Sequence, residues 1–208
     1  MQTDWDGWHS AYADPESALS RRLLVIQGLI GEWLDRTAPE PVRVVSVCAG
    51  DARDLLQVLR ARGDAPRVSA TLLEYNAKNV ERARAAADDL AGIEVRHVDA
   101  GQTAAYKGAL PADLVLLAGV FGNISDDDVR TTIEALPGMC SAGALVIWTR
   151  HRGAPDLSGN IRGWFGTAGF VEESFTAPDD AVFSVGSHRF AGTPRPWTAE
   201  KKLFSFVR

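Results

Sequence analysis

The sequence predicts an α/β protein built on a doubly wound, mostly parallel sheet, and three observations carry that prediction. Residues 42–54, VRVVSVCAGDARD, begin as a run of mostly β-branched apolar residues, the mark of a strand buried on both faces. That run passes through a small-residue turn into a helical pattern with Leu55, Leu56, Val58 and Leu59 apolar. Strand-like runs then alternate with helix-like segments, which implies parallel strands joined by right-handed crossovers. From Phe170 onward the alternation stops and strand patterns follow one another, which implies antiparallel strands added at one edge.

The elements follow in order. Asp14-Pro15-Glu16 reads as a helix start, with Asp14 as N-cap and Pro15 at the first helical position. Leu19, Leu23, Ile26, Ile30, Trp33 and Leu34 recur at helical spacing, and the helix should end near Arg36. Strand one spans about 42–48 and the next helix about 52–62. Strand two is expected over 68–74, a helix over 77–90, strand three over 93–99 and strand four over 112–118. Ser125 caps a helix over 126–136; strand five covers 144–149, and a helix runs over 157–168 to Gly169. The tail offers strands at 170–176, 182–189 and 202–207. With no repeat or low-complexity linker, residues 1–208 read as one domain: residues 1–36 an aromatic segment and helix, residues 40–208 the core.

Composition narrows the function. Net charge is −5 and the isoelectric point about 5.4, with no basic block, so a nucleic-acid partner is not expected. No apolar run approaches a membrane span, so no membrane partner is expected either. The polar, acidic start MQTDWDGWHS reads as neither signal nor transit peptide, and Cys48 and Cys140, the only cysteines, suggest a reduced cytoplasmic setting as the expectation. Oligomeric state is not readable.

The turn and the tail together resemble the class I S-adenosylmethionine-dependent methyltransferases, over about residues 40–208. The resemblance implies a Rossmann-like, doubly wound, mostly parallel seven-stranded sheet with antiparallel C-terminal strands, and S-adenosyl-L-methionine as cofactor. The family motif, acidic-x-Gly-x-Gly-x-Gly, is altered here. Ser46 takes the acidic position, Cys48 and Ala52 the outer glycines, and Gly50 alone remains. The resemblance assigns Ala49, Gly50 and Asp51 to the cofactor turn. It assigns Glu74, with Tyr75 beside it, to the ribose, Asp99 and Ala100 to the adenine, and Ala118-Gly119 to the methionine moiety and substrate. Asp51 either contacts the methionine amine or caps the helix.

The acceptor side is read from the same edge. Asn123, in AGVFGN, sits where family members place substrate contacts, and the Asn-Pro-Pro-Tyr signature of nucleic-acid amino methylation is absent there. Arg150 and His151 follow strand five, with His151 the candidate general base and Arg150 a substrate contact. His188, in the β tail, is a second candidate substrate contact, while His97 reads as structural. Trp5, Trp8, His9 and Tyr12 crowd the first thirteen residues. They either pack as ordinary core or form a lid, with Tyr12 on the cofactor and Trp8 over the methyl group. Asp126-Asp127-Asp128 suits the positive end of a helix, and no metal is predicted. The reading is a methyltransferase acting on a small molecule. The alternatives are a nicotinamide-dependent oxidoreductase, whose G-x-G-x-x-G is missing, and a non-catalytic S-adenosylmethionine-binding protein.

Overall fold

The computed structural model describes residues 14–198 and 201–207. Seven strands form one sheet: β1 (Val42–Val47), β2 (Val68–Glu74), β3 (Ile93–His97), β4 (Ala112–Leu117), β5 (Cys140–His151), β6 (Phe170–Thr176) and β7 (Phe183–Phe190). Their order is β3-β2-β1-β4-β5-β7-β6. The first five strands are parallel, and β7 runs antiparallel between β5 and β6. The order reverses between β1 and β4. Those two strands pair only from Val44 and Leu114 to Ser46 and Leu116, then separate, which opens a crevice at their carboxy ends.

Among the described residues five α-helices cover the sheet: α1 (Ala18–Thr37), α2 (Arg53–Arg60), α3 (Ala77–Ala87), α4 (Asp126–Met139) and α5 (Ser158–Thr167); between β3 and β4 there is only a short 3-10 turn at Thr103–Tyr106. Alternation along β1 sends Val44 to one face and Val45 and Val47 to the other. The first face packs Leu55, Leu56 and Leu59 of α2 and Ile26, Ile30 and Leu34 of α1. The second packs Val129, Ile133 and Leu136 of α4 and Ile161 and Phe165 of α5. Because the β3–β4 connection carries no α-helix, that face is completed from elsewhere: Leu203 and Phe204 are buried in it, and Trp197 packs edge-on against Tyr106.

Several expected boundaries move. Ser17, not Asp14, caps α1, because its hydroxyl accepts the Ser20 N–H at 3.1 Å; the Asp14 carboxylate instead accepts the Glu16 N–H. Helix α4 runs through Pro137 to Met139, and β5 starts earlier, at Cys140. Residues 202–207 make two isolated bridges, Gln102 with Lys202 and Ile124 with Phe206, rather than a strand. This segment joins neither edge strand, β3 or β6, and pairs with the loops after β3 and β4 instead.

Candidate active site

The turn after β1 keeps the backbone of a three-glycine motif with only one glycine in it. Cys48, Gly50 and Ala52 all have positive φ, at 54°, 61° and 55°. A left-handed residue with a Cβ costs about 1–2 kcal/mol, so two such residues in one turn mark a shape held by its surroundings. Three bonds hold it. Ala49 N–H donates to Leu73 O at 2.9 Å, Ala52 N–H to Ala49 O at 2.9 Å, and Gly50 N–H to Glu74 Oε2 at 2.7 Å. Ala52 then stands at the N-cap of α2 without a side-chain cap.

Glu74 closes β2 and is buried. Its second oxygen accepts the Asn76 N–H at 2.7 Å, so the carboxylate bridges the glycine turn and the start of α3. Each oxygen retains a lone pair for a hydroxyl donor. Tyr75, directly after it, is 74% exposed, and its carbonyl meets His97 Nε2 at 2.8 Å. Asp99 accepts the Gly101 N–H at 2.9 Å and the Gln102 side-chain amide at 3.2 Å, and its carboxylate faces solvent. Ala100 is buried, and its carbonyl accepts the Tyr106 hydroxyl at 2.8 Å. Burial pushes the Cys48 thiol up, and the Glu74 and Asp99 carboxylates push it further. The turn after β1 and both carboxylates therefore converge. Asp51 turns toward α2, where its carboxylate pairs with the Arg53 guanidinium and accepts the Arg53 N–H at 3.3 Å.

The opposite lip of the crevice follows β4. Ala118 is half-buried, and Gly119 has φ +75°. Gly119 N–H donates to Thr149 Oγ1 at 2.8 Å, and Gly119 O accepts Asn123 Nδ2 at 2.6 Å. Both its polar groups are thus satisfied by the protein, and what Gly119 offers outward is a bare Cα. A Cβ built on Gly50 or on Gly119 would meet no atom within 4 Å. The two lips therefore face open space, and the glycines answer to backbone shape and to whatever enters the crevice. Open space beside the two glycines and a buried acceptor carboxylate fit S-adenosylmethionine.

Arg150 reaches from β5 to the same loop, donating to Phe121 O and to Asp126 at 3.1 Å. Its guanidinium is therefore engaged within the loop. His151 is exposed, and its Nδ1 accepts the Gly153 N–H at 2.8 Å. In the neutral ring that bond places the proton on Nε2, so the imidazole presents a donor to the edge and not a lone pair. His188, a candidate substrate contact, is buried in the core instead of standing at the functional edge. The residue faces Val146 in mid-sheet, is 1% exposed, stacks on Phe165 with centroids 4.3 Å apart, and accepts Trp148 Nε1–H at 3.1 Å. An antiparallel β7 runs away from the carboxy edge, and its later residues are carried into the core. Trp8 and Tyr12, and the lid they would form, lie outside the described residues. Among the described residues no group of three or more His, Cys, Asp or Glu could hold a metal ion, and Asp126 and Asp128 are engaged by Arg150 and by Ser205 N–H.

Thr149 and Arg152, which the sequence places after strand five at this edge without a role, have one here. Thr149, 1% exposed, holds Gly119; its signal was a polar residue closing the buried run ALVIW. Arg152 donates to Ala181 O at 2.7 Å, to Phe183 O at 3.2 Å and to Pro178 O, and so fixes the β6–β7 loop beside the site; nothing local marks that role.

A glycine-shaped turn, a carboxylate at the end of β2 and a β3-β2-β1-β4-β5 sheet finished by antiparallel β7 define the class I S-adenosylmethionine-dependent methyltransferase fold. The family model described as "Putative methyltransferase" matches residues 19–162, more than half of the chain, and the chain belongs to that family. Magnesium protoporphyrin IX methyltransferase from Synechocystis PCC 6803, solved with bound S-adenosylmethionine, superposes with a TM-score of 0.68 at 14% identity, over 91% of this chain and 92% of that one. An O-methyltransferase family protein from Burkholderia thailandensis gives 0.62 at 18% identity, over 84% of this chain and 58% of that one. The N-methyltransferase NodS from Bradyrhizobium japonicum gives 0.56 at 16%, over 80% and 97%. No curated protein matches the sequence. The enzyme is an S-adenosylmethionine-dependent methyltransferase.

Proposed function

We propose that this enzyme methylates a small molecule bound at the carboxy ends of β4 and β5, beside Gly119, Asn123 and His151. The cofactor supplies an electrophilic methyl group, and the protein's task is to hold the acceptor in line with it. Gly50 and Glu74, with Tyr75 beside it, would hold the ribose side, Asp99 and Ala100 the adenine, and Ala118-Gly119 the methionine side. The observation that carries the reading is the crevice between β1 and β4, with two open-faced glycines on its lips and the buried Glu74 carboxylate bonded to the first of them. The net charge of −5 and the missing nucleic-acid signature support a small, uncharged or cationic acceptor over RNA or DNA.

His151 can act as base only after giving up the Gly153 bond, so the arrangement favours an acceptor that needs positioning more than deprotonation, such as a neutral amine. Asn123 acts by holding Gly119, and Arg150 by holding Phe121 and Asp126. Helix α1 descends to the amino end of β1, so its start stands at the cofactor edge. That placement supports a lid role for the preceding Trp8 and Tyr12. No helix among the described residues is long and apolar enough to cross a membrane, and the two unpaired cysteines suit a cytoplasmic enzyme. Calorimetry with S-adenosylhomocysteine and with NAD tests the cofactor. Incubation with labelled S-adenosylmethionine tests the acceptor: label transferred to bulk tRNA or DNA, and none to a panel of small amines and phenols, would overturn the proposal.

A further inference from the structure

The segment 201–207 joins the two walls of the crevice. On one side, Leu203 N–H donates to Gly101 O at 2.7 Å, and Thr103 N–H donates to Lys201 O at 3.0 Å. The approach is close enough that a Cβ on Gly101 would lie 2.3 Å from Phe204 O. Gly101 N–H is in turn held by the Asp99 carboxylate at 2.9 Å. On the other side, Ser205 N–H donates to Asp128 Oδ2 at 3.0 Å, Phe206 bridges Ile124, and Val207 N–H donates to Asn123 O at 2.8 Å. Asn123 holds the Gly119 carbonyl, and Thr149 holds the Gly119 amide. An unbroken run of hydrogen bonds therefore leads from the Asp99 turn, along 201–207, to Gly119.

Leu203 and Phe204 sit in the core, 4% and 2% exposed, whereas Phe206 and Val207 are 42% and 62% exposed. The first pair accounts for the stability of this face, in the space that the helix-free β3–β4 connection leaves. The second pair buries little, so the two bonds made beside it, to Asp128 and to Asn123, are not explained by core formation. A glycine at φ +75° whose bare Cα faces open space has no packing of its own to fix it. Its geometry comes from Thr149 on one side and Asn123 on the other.

We infer that residues 205–207 are a positioning element of the methyltransferase: through the Asn123 carbonyl they hold the β4–α4 loop, and with it Gly119, in the geometry that receives the cofactor. The inference rests on reading the β1–β4 crevice as the cofactor site.

Proline at 207 removes the donor and alanine keeps it, so the pair Val207→Pro and Val207→Ala isolates the bond. Both are made in the full chain, with S-adenosylhomocysteine as probe, by calorimetry, hydrogen exchange and thermal melting. Val207→Pro should weaken binding about threefold to tenfold, the span expected when one hydrogen bond in a binding loop is lost. It should speed exchange at Gly119 and Asn123 and leave melting nearly unchanged. Val207→Ala should stay within about twofold of the wild type, since the donor is kept. Should Val207→Pro melt well below the wild type, Ser205→Pro, which deletes the bond to Asp128 in the same loop, carries the same expectations. A proline variant that binds the probe as tightly as wild type, with the loop exchanging faster, overturns the inference and leaves the cofactor site standing. A wild-type protein that does not bind the probe overturns both.

Discussion

Glu74→Gln separates what this residue does for the fold from what it does for the ligand. The carboxylate is buried and accepts two backbone N–H groups at 2.7 Å, one from each side. Glutamine keeps an acceptor for one of them and turns an NH2 toward the other, leaving one buried donor unmatched. Losing a hydrogen bond to a charged group and stranding its partner costs on the order of 3 kcal/mol. In a protein of this size that lowers the melting temperature by about 6–12 °C. Ligand affinity is read in the same scan. S-adenosylhomocysteine at about a hundredfold its Kd stabilises the wild type by about 2.7 kcal/mol, and a tenfold loss of affinity cuts that to about 1.4 kcal/mol. The variant should therefore melt lower without ligand and gain about half as much with it. A free protein that melts within 2 °C of wild type, on the scale of roughly 2–4 °C per kcal/mol, would refute the bridging role drawn from the geometry. A full ligand shift would refute the ribose role.

Thr149→Val should strand the Gly119 N–H, costing about 1–3 kcal/mol and weakening S-adenosylhomocysteine binding, while Thr149→Ser retains both; calorimetry and melting of the pair decide it. Gly119→Ala should cost the free protein only the left-handed strain of about 1–2 kcal/mol, because its Cβ meets nothing, yet should lose ligand affinity by much more, since the methyl group enters the crevice. Two buried groups give opposite pH signatures, read as the difference between variant and wild type in denaturant melts from pH 4 to 7. Burial pushes the Asp54 carboxyl up to about 6, with Asp51 adding to the rise, so the folded state prefers the protonated form; that stability is whole below the unfolded value and lost as pH rises through 6. Asp54→Asn should therefore be more stable than wild type by up to about 3 kcal/mol at pH 7 and level with it at pH 4. Burial pulls the His188 imidazole down to about 4, against the nearby Glu172, so its neutral-form stability is whole above 6.5 and lost as pH falls through 4. His188→Gln should gain on the wild type by up to about 3 kcal/mol between pH 7 and pH 4, and a constant difference would mean that His188 is not held neutral.

What the sequence determined by itself was local. VRVVSV has the composition of a buried strand, DLLQVLRARG the spacing of a helix, and the small residues between them can only be a turn, so β1, its turn and α2 were legible with their order. Glu74 was legible as a strand-closing acid, and Ser125 as a cap. Tertiary structure decided what depends on partners distant in the chain. Glu74 meets Gly50 because β2 lies beside β1, and Cys48 and Ala52 hold glycine-like φ because that pairing over-determines the turn. His188 is in the core because β7 enters antiparallel between β5 and β6. Residues 202–207 alternate like a strand, yet bind loops, because the β3–β4 connection left an apolar face that Leu203 and Phe204 cover. Periodicity reports which side of an element is apolar. It does not report which of several apolar surfaces that side will cover, because that choice is a competition settled only when the whole core is packed.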